Sequence, residues 1–242
     1  MHTIVTYTNV EISRNQTQLS RSQRYTGQTD KTELEASFGL LYISGLLKNS
    51  HVNLEELWPK KYGAPIFRAT MSKNMFSLLI KNLRLDDNAT RKKRKELDKF
   101  CAIRDIWERY VENCRNNYTP SEYVTVDEQL IGFRGCCPFR MYIPNKPDKY
   151  GIKIMMLCDA KTFYMFSAIP YIGEKDRPTN LPLPTEYVLK LSEPIHKTNR
   201  NITVDNWFSS MDMAKSLKEV GITFVGTLWK NKPEISTQFL KP

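Results

Sequence analysis

The chain has 242 residues, 40% hydrophobic and 26% charged, enough for a sizeable core in one large domain or two small ones. A net charge of +10 and a pI near 9.3 point to an acidic partner, nucleic acid before a membrane surface. With no apolar signal-peptide core at the start and no apolar run near the roughly 20 residues of a bilayer span, neither secretion nor a membrane span is expected.

Residues 1–30 are polar, rich in Thr, Gln, Ser and Arg, and read as a short helix or irregular arm with little core of its own. Thr32-x-x-Glu35 has the form of a capping box, with Thr32 as N-cap of a helix carrying Leu34, Phe38, Leu41, Tyr42 and Leu46 at helical spacing. Residues 52–58 suggest a short helix stopped before Pro59. Residues 60–69, with Gly63 and Pro65, suggest a loop. Ser72 caps the next helix, whose apolar face is Met75, Phe76, Leu78, Leu79 and Leu83, and Asp86-Asp87-Asn88 ends it. Arg91-Lys92-Lys93-Arg94-Lys95 follows, five consecutive bases. Nuclear localisation and DNA backbone contact are its functional readings, and a solvated loop is the plain one. The basic balance of the whole chain tips the reading toward function. Leu97, Phe100, Ile103, Ile106, Trp107, Tyr110, Val111 and Cys114 recur at three and four, so 97–116 reads as one helix with a core-facing stripe. Tyr118-Thr119-Pro120 ends it. The pattern then turns from helical to extended, which places a domain boundary at 118.

In the second half, strands are expected at 122–133, 150–158, 164–169, 201–204 and 223–228, and helices at 185–191 and 211–220. Gly221 closes the second helix. Residues 174–184, with three prolines, form an exposed loop. Periodicity gives a mixed α/β class and no more. Five cysteines, Cys101, Cys114, Cys136, Cys137 and Cys158, show neither zinc spacing nor a disulfide framework and read as free thiols. His2, His51 and His196 are scattered without ligand spacing. No phosphate-binding glycine loop and no HExxH is present.

The chemistry gathers in residues 123–154, YVTVDEQLIGFRGCCPFRMYIPNKPDKYGIKI. A β-branched and aromatic run leads into Asp127. Alternation puts Asp127 on one face with Thr125 and Gln129, and Glu128 on the other with Val126 and Leu130, so one of the two acids can join a given site. Arg134, Arg140, Lys146, Lys149 and Lys153 follow, interleaved with Phe133, Phe139, Tyr142 and Tyr150. A strand-borne carboxylate beside such a patch suits metal-assisted chemistry on a phosphate backbone. Asn201-Ile202-Thr203-Val204-Asp205 repeats the arrangement 78 residues after Asp127. Spacing by itself favours the plainer reading, in which each aspartate is a strand-end turn former.

The blocks VTVDEQLIGFRGCCPFRMYIPNKPDKYGIKI and ITVDNWFSSMDMAKSLKEVGITFVGTLWKNKPEI resemble the core of piggyBac-type transposases and the host genes derived from them. The similarity starts near Thr8-Asn9. It continues through residues 32–41, Gly45-Leu46, residues 71–76 and residues 85–88. The resemblance implies a helical dimerisation and DNA-binding region over 1–118. It implies a ribonuclease-H-like catalytic core over 119–242, incomplete at its C-terminus, with the first strand central beside the strand of the second acid. It further implies DNA as partner, a homodimer, a nuclear location and no small-molecule cofactor or membrane partner. Mg²⁺ or Mn²⁺, weakly held, would lie between Asp127 and Asp205, the family's first two acids. Asp127 would bridge two ions and Asp205 bind one. Arg134, Arg140, Lys146, Lys149 and Lys153 would face DNA phosphates, with Phe133 and Tyr142 packed beneath them. The family's third aspartate does not map, and Asp159, Asp176 and Asp212 are not promoted to its place. Asp212 reads as a first-turn helix acid. Complete transposition by these residues alone is therefore not expected, and a domesticated non-catalytic DNA-binding or dimerisation protein is the alternative. A decayed element, a domesticated gene and an incomplete gene model all fit this pattern.

Overall fold

The computed structural model describes residues 1–16, 27–173, 181–230 and residues 235, 236 and 238. Asp176, residues 174–180 of the proline-rich loop and residues 17–26 of the N-terminal arm lie outside them. Two compact units divide the chain, Met1–Arg104 and Asp105–Pro242. The division comes before the helix that the change of pattern at 118 follows, because that helix packs on the sheet of the second unit.

The first unit is helical: α1 His2–Gln16, α2 Lys31–Leu46, α3 Leu54–Leu57, α4 Pro65–Thr70, α5 Lys73–Asn82 and α6 Arg91–Leu97. Of the short helix or irregular arm expected at the start of the chain, the helix forms as α1, and it is anchored. In α1 Ile12 is buried, Glu11 accepts from Arg84 Nη2 at 2.8 Å, and Thr8 Oγ1 accepts from the Arg84 backbone N–H at 3.2 Å. Helix α2 starts before the expected cap. Asp30, not Thr32, accepts from Glu33 N at 2.8 Å, and Thr29 Oγ1 donates to Glu33 Oε2 at 2.9 Å. Aspartate is the stronger cap, and the Asp30-x-x-Glu33 frame sets the acid at the third helical position. The expected loop at 60–69 contains α4, which Pro65 can open because the first helical N–H has no partner to lose. Ser72 caps α5 as expected, accepting from Met75 N at 3.2 Å. Trp58 packs on Phe67 and Phe76 with ring centroids 5.2 Å apart in both pairs, over Leu40.

The stripe expected over 97–116 is interrupted. Leu97 ends α6 with 91% of its surface exposed, and α7 runs Arg104–Asn116. Between them Asp98 accepts from Phe100 N at 2.9 Å and from Arg104 Nε and Nη2 at 2.8 Å. An aspartate that can bond its own neighbouring backbone competes with helix continuation.

The second unit is a mixed six-stranded sheet: β1 Tyr123–Gly132, β2 Met141–Tyr142, β3 Tyr150–Asp159, β4 Met165–Pro170, β5 Asn201–Val204 and β6 Thr223–Gly226. The order is β2-β3-β1-β5-β6, with β4 on β3. Strand β1 runs antiparallel to β3 and parallel to β5, and β6 is parallel to β5. This is the ribonuclease-H-like arrangement expected, with β1 central. Val124, Val126, Met155, Leu157, Ile202 and Val204 point from one face into the main core, which α8 Leu183–Ser192 and α9 Met211–Glu219 cover through Val188, Leu191, Met213 and Leu217. On the other face α7 lays Val111 and Trp107 against Ile154 and Ala168. Gly221 stands at φ +70° and ends α9, as its position predicts. Among the described residues no helix is long and apolar enough to cross a membrane.

Asp159 ends β3 and is fully buried. Burial opposes its charge. Hydrogen bonds from Ser121 N at 2.6 Å, Lys161 N at 2.8 Å and Thr162 N at 2.9 Å outweigh burial and hold its pKa well below the ordinary aspartate value. Its stabilisation is therefore complete above the unfolded pKa and is lost as pH falls below about 4. Asp159→Asn can satisfy fewer of these donors. It is expected to cost roughly 1.5–3 kcal/mol, the size of a charge-assisted hydrogen bond. It should also flatten acid unfolding near that pH, which denaturant titrations from pH 7 to 3 measure.

Candidate active site

Strands β1 and β5 bring the two candidate acids together. Their parallel register ends at Val126↔Val204, so Asp127 and Asp205 each follow the last paired rung. Adjacent strand axes are about 4.8 Å apart, and both aspartates are exposed. Asp127 lies in the middle of β1, which continues against β3 through Gly132↔Gly151. Asp205 leaves β5 into a tight turn. The acid at the close of a β-branched run is thus a strand end in β5 alone.

Backbone donors fix one oxygen of each carboxylate. Asp127 Oδ1 accepts from Glu128 N at 2.7 Å, and Asp205 Oδ1 accepts from Trp207 N at 3.0 Å and Phe208 N at 3.3 Å. Each Oδ2 makes no hydrogen bond among the described residues. Ser209 Oγ donates to Asp205 O at 2.8 Å and closes the turn. Gly226 of β6 makes room for that turn, since a Cβ there would overlap Ser209 Oγ.

A pocket of about 310 Å³ opens on the face that carries Asp127. Thr125, Asp127, Gln129, Met156, Cys158 and Phe163 line it, and Asp205 does not. Cys158 pairs with Thr125 across the ladder. Burial, and then the neighbouring Asp127 charge, push its thiol pKa up. Cys158 has no ligand-like spacing in the sequence, and its place beside Asp127 follows only from the β1–β3 register. All five cysteines are free. Asp159 is committed to backbone donors. Asp212 sits in the first turn of α9, 4.0 Å from Lys215, so neither joins the pair. Among the described residues no group of three or more His, Cys, Asp or Glu side chains is placed to hold a metal ion.

The five candidate bases flank β1–β3 but differ in engagement. Arg134 and Lys149 are exposed. Arg140 Nη1 donates to the carbonyls of Arg134 at 3.0 Å and Gly135 at 3.1 Å, and its guanidinium lies 5.4 Å from the Tyr150 ring centroid. Lys146 pairs with Glu128 at 3.4 Å. Lys153 lies 4.5 Å from the Trp207 ring centroid, and its partner in the ladder is Leu130, on the opposite face of β1 from Asp127. Arg140 and Lys146 therefore also organise the hairpin, while Lys153 covers Trp207 after β5. Tyr142 packs on Tyr150 at 4.8 Å, and the Phe133 ring lies against Gly135. Trp207 is 39% exposed beside Asp205, a position that nothing in the sequence spacing marks.

The family model described as Transposase IS4 matches residues 1–242. The human PiggyBac transposable element-derived protein 3 is 23% identical over 209 residues, which is 83% of this chain and 34% of that protein. A chain of the solved piggyBac transposase synaptic complex with hairpin DNA matches at a TM-score of 0.94 and 41% identity, over 100% of this chain and 50% of that one. The chain thus spans about a third of the human relative and half of the solved chain.

Proposed function

This chain belongs to the piggyBac transposase family, and we propose that it binds duplex DNA and carries two carboxylate ligands of a metal-dependent strand-cleavage site. Its transposase-derived character comes from family membership. The observation that carries the rest is that Asp127 and Asp205 each follow the last paired rung of the parallel strands β1 and β5, each with an uncommitted Oδ2, on a sheet flanked by Arg134 and Lys149. Two hard oxygen donors suit Mg²⁺ or Mn²⁺. A divalent ion bound there would polarise phosphoryl oxygens and lower the pKa of an attacking water. The chain's own contribution is to hold both carboxylates through backbone N–H groups and to bring a phosphate backbone alongside them. A nuclear site of action and homodimeric assembly belong to the same family reading.

DNA binding without cleavage is the second reading for residues 1–242. The absence of a third clustered ligand among the described residues favours it. The test of the common premise is fluorescence anisotropy of the whole chain with a 30-bp duplex of arbitrary sequence. Affinity is expected to fall linearly in log–log form, with a slope of about −0.9 per phosphate neutralised. Binding that is absent, or indifferent to salt, overturns it.

A further inference from the structure

We propose that Cys136, in the Cys136-Cys137 pair of the β1–β2 connection, is a thiol–disulfide exchange site for acidic disulfides of the glutathione class, and that the anionic adduct withdraws Arg134 from DNA phosphates. The exchange stands on the hairpin alone, and the withdrawal rests on the DNA-binding reading above. The five free thiols are not equivalent. Cys101 and Cys114 are buried, and Cys158 is half-buried beside the Asp127 charge, which repels an anionic reagent. Cys136 is exposed and Cys137 half-buried. These neighbours are poorly placed to close on each other. Adjacent Cα atoms stand about 3.8 Å apart across a trans peptide, short of the roughly 4.4–6.8 Å of an unstrained disulfide. Pro138 restricts Cys137 to extended backbone, where consecutive side chains diverge. The Arg140 N–H also donates to the Cys137 carbonyl at 3.2 Å, a bond that turning Cys137 toward Cys136 would strain. Oxidation at this pair is therefore directed outward, to a second molecule.

The charge around Cys136 selects that molecule. Between Gly132 and Gly151 the chain carries Arg134, Arg140, Lys146 and Lys149 against a single acid, Asp148. Arg140 Nη1 donates to the carbonyls of Arg134 and Gly135, so its guanidinium is pinned to the peptide that leads into Cys136. Arg134, two residues before Cys136, has an exposed side chain that makes no hydrogen bond or ion pair among the described residues. A guanidinium offers a planar fork that matches a carboxylate. An exposed thiol between two such forks suits a disulfide that bears carboxylates. In the exchange the Cys136 thiolate attacks one sulfur of the reagent. A new S–S bond forms at Cys136, the reagent's own S–S bond breaks, and its other half leaves as a thiolate that takes up a proton. The reagent is the oxidant. Cys137 could expel the adduct only by forming the strained ring, so release falls to an external thiol.

The experiment incubates the whole chain with glutathione disulfide or with the cationic disulfide cystamine, each rate taken relative to that of an uncharged cysteine peptide, and locates adducts by peptide mass mapping. At low salt Cys136 should take glutathione about tenfold faster than Cys137 or Cys158, and its preference over cystamine should shrink as salt rises. Arg134→Gln should slow the acidic reagent alone. Cys136→Ser, at an exposed position where an equal melting temperature confirms the fold, should abolish the fast adduct, and Cys137→Ser should keep it. Equal relative rates for the two reagents, or an adduct spread evenly over the three thiols, overturns the exchange site. On the 30-bp duplex the modified chain should show a log–log slope shallower by about 0.9, one phosphate contact, and dithiothreitol should restore it. An adduct at Cys136 that leaves the slope unchanged overturns the withdrawal of Arg134. If the unmodified chain does not bind the duplex, the DNA reading falls and the withdrawal with it, and mass mapping alone decides the exchange site.

Discussion

Arg134→Glu combined with Lys149→Glu is expected to weaken duplex binding at least a hundredfold at 50 mM salt, with a slope shallower by about 1.8. The side chains of these two bases are exposed on the β1–β3 hairpin and make no hydrogen bond or ion pair among the described residues. Each is free to meet one phosphate, and reversal adds repulsion to the lost contact. The other three bases should behave differently. Lys146→Gln releases Glu128 from its ion pair, and Lys153→Gln removes an ammonium already held over Trp207. Both should change the slope by less than one contact. Arg140→Gln removes the bonds to the Arg134 and Gly135 carbonyls, so Arg134 loses its fixed position along with the charge. Its slope change should exceed one contact, with a lowered melting temperature as the companion signal. The same anisotropy series reads all of these. An unchanged slope in the Arg134/Lys149 variant would move the DNA surface off this hairpin.

The contrast among these bases shows what a sequence carries and what it leaves to the fold. Charge and clustering were legible, because they are properties of residue type and local spacing. Engagement was not. Whether Lys153 faces DNA or covers Trp207 depends on the pairing of β3 with β1 and on the turn after β5, which brings Trp207 to Lys153 from 54 positions further along the chain. The basic run at 91–95 follows the same rule. Its charge is local, but which of its bases are tied down depends on Asp86, which takes Arg91 and Arg94. Strands, the Ser72 cap and the Gly221 stop were legible for the opposite reason, since each is decided within a few residues. The errors fall where two local signals compete. Asp30 displaced Thr32 as the cap, and Asp98 broke a stripe that hydrophobic spacing alone would continue. The placement of Asp127 beside Asp205 is intermediate. Each strand could be read alone, but their adjacency needed either the family resemblance or the β1–β5 register.

Asp127→Asn and Asp205→Asn are each expected to remove Mn²⁺ binding as measured by calorimetry, by tenfold or more in affinity, while leaving the melting temperature within about 0.5 °C. Asparagine keeps an acceptor oxygen, so the bonds from Glu128 N and from Trp207 N and Phe208 N survive, and the turn after β5 stays closed. What is lost is the negative charge and the second hard oxygen, which a divalent cation requires. The wild type itself should bind weakly, since two neighbouring carboxylates supply only part of the six oxygen positions such an ion prefers and water supplies the rest. The carboxylates repel each other without a cation, so removing one charge should not destabilise the fold. Stability and metal affinity therefore separate, which a purely structural role for either residue would not allow. Residues 1–242 alone should nick supercoiled DNA in Mg²⁺ at no more than a background rate, whereas DNA binding survives both substitutions. Equal heats from wild type and Asp127→Asn would show that the pair is no metal site. Binding without cleavage would then be the reading for these residues, with Asp205 serving only to close the turn after β5 and Asp127 only to accept from Glu128 N within β1.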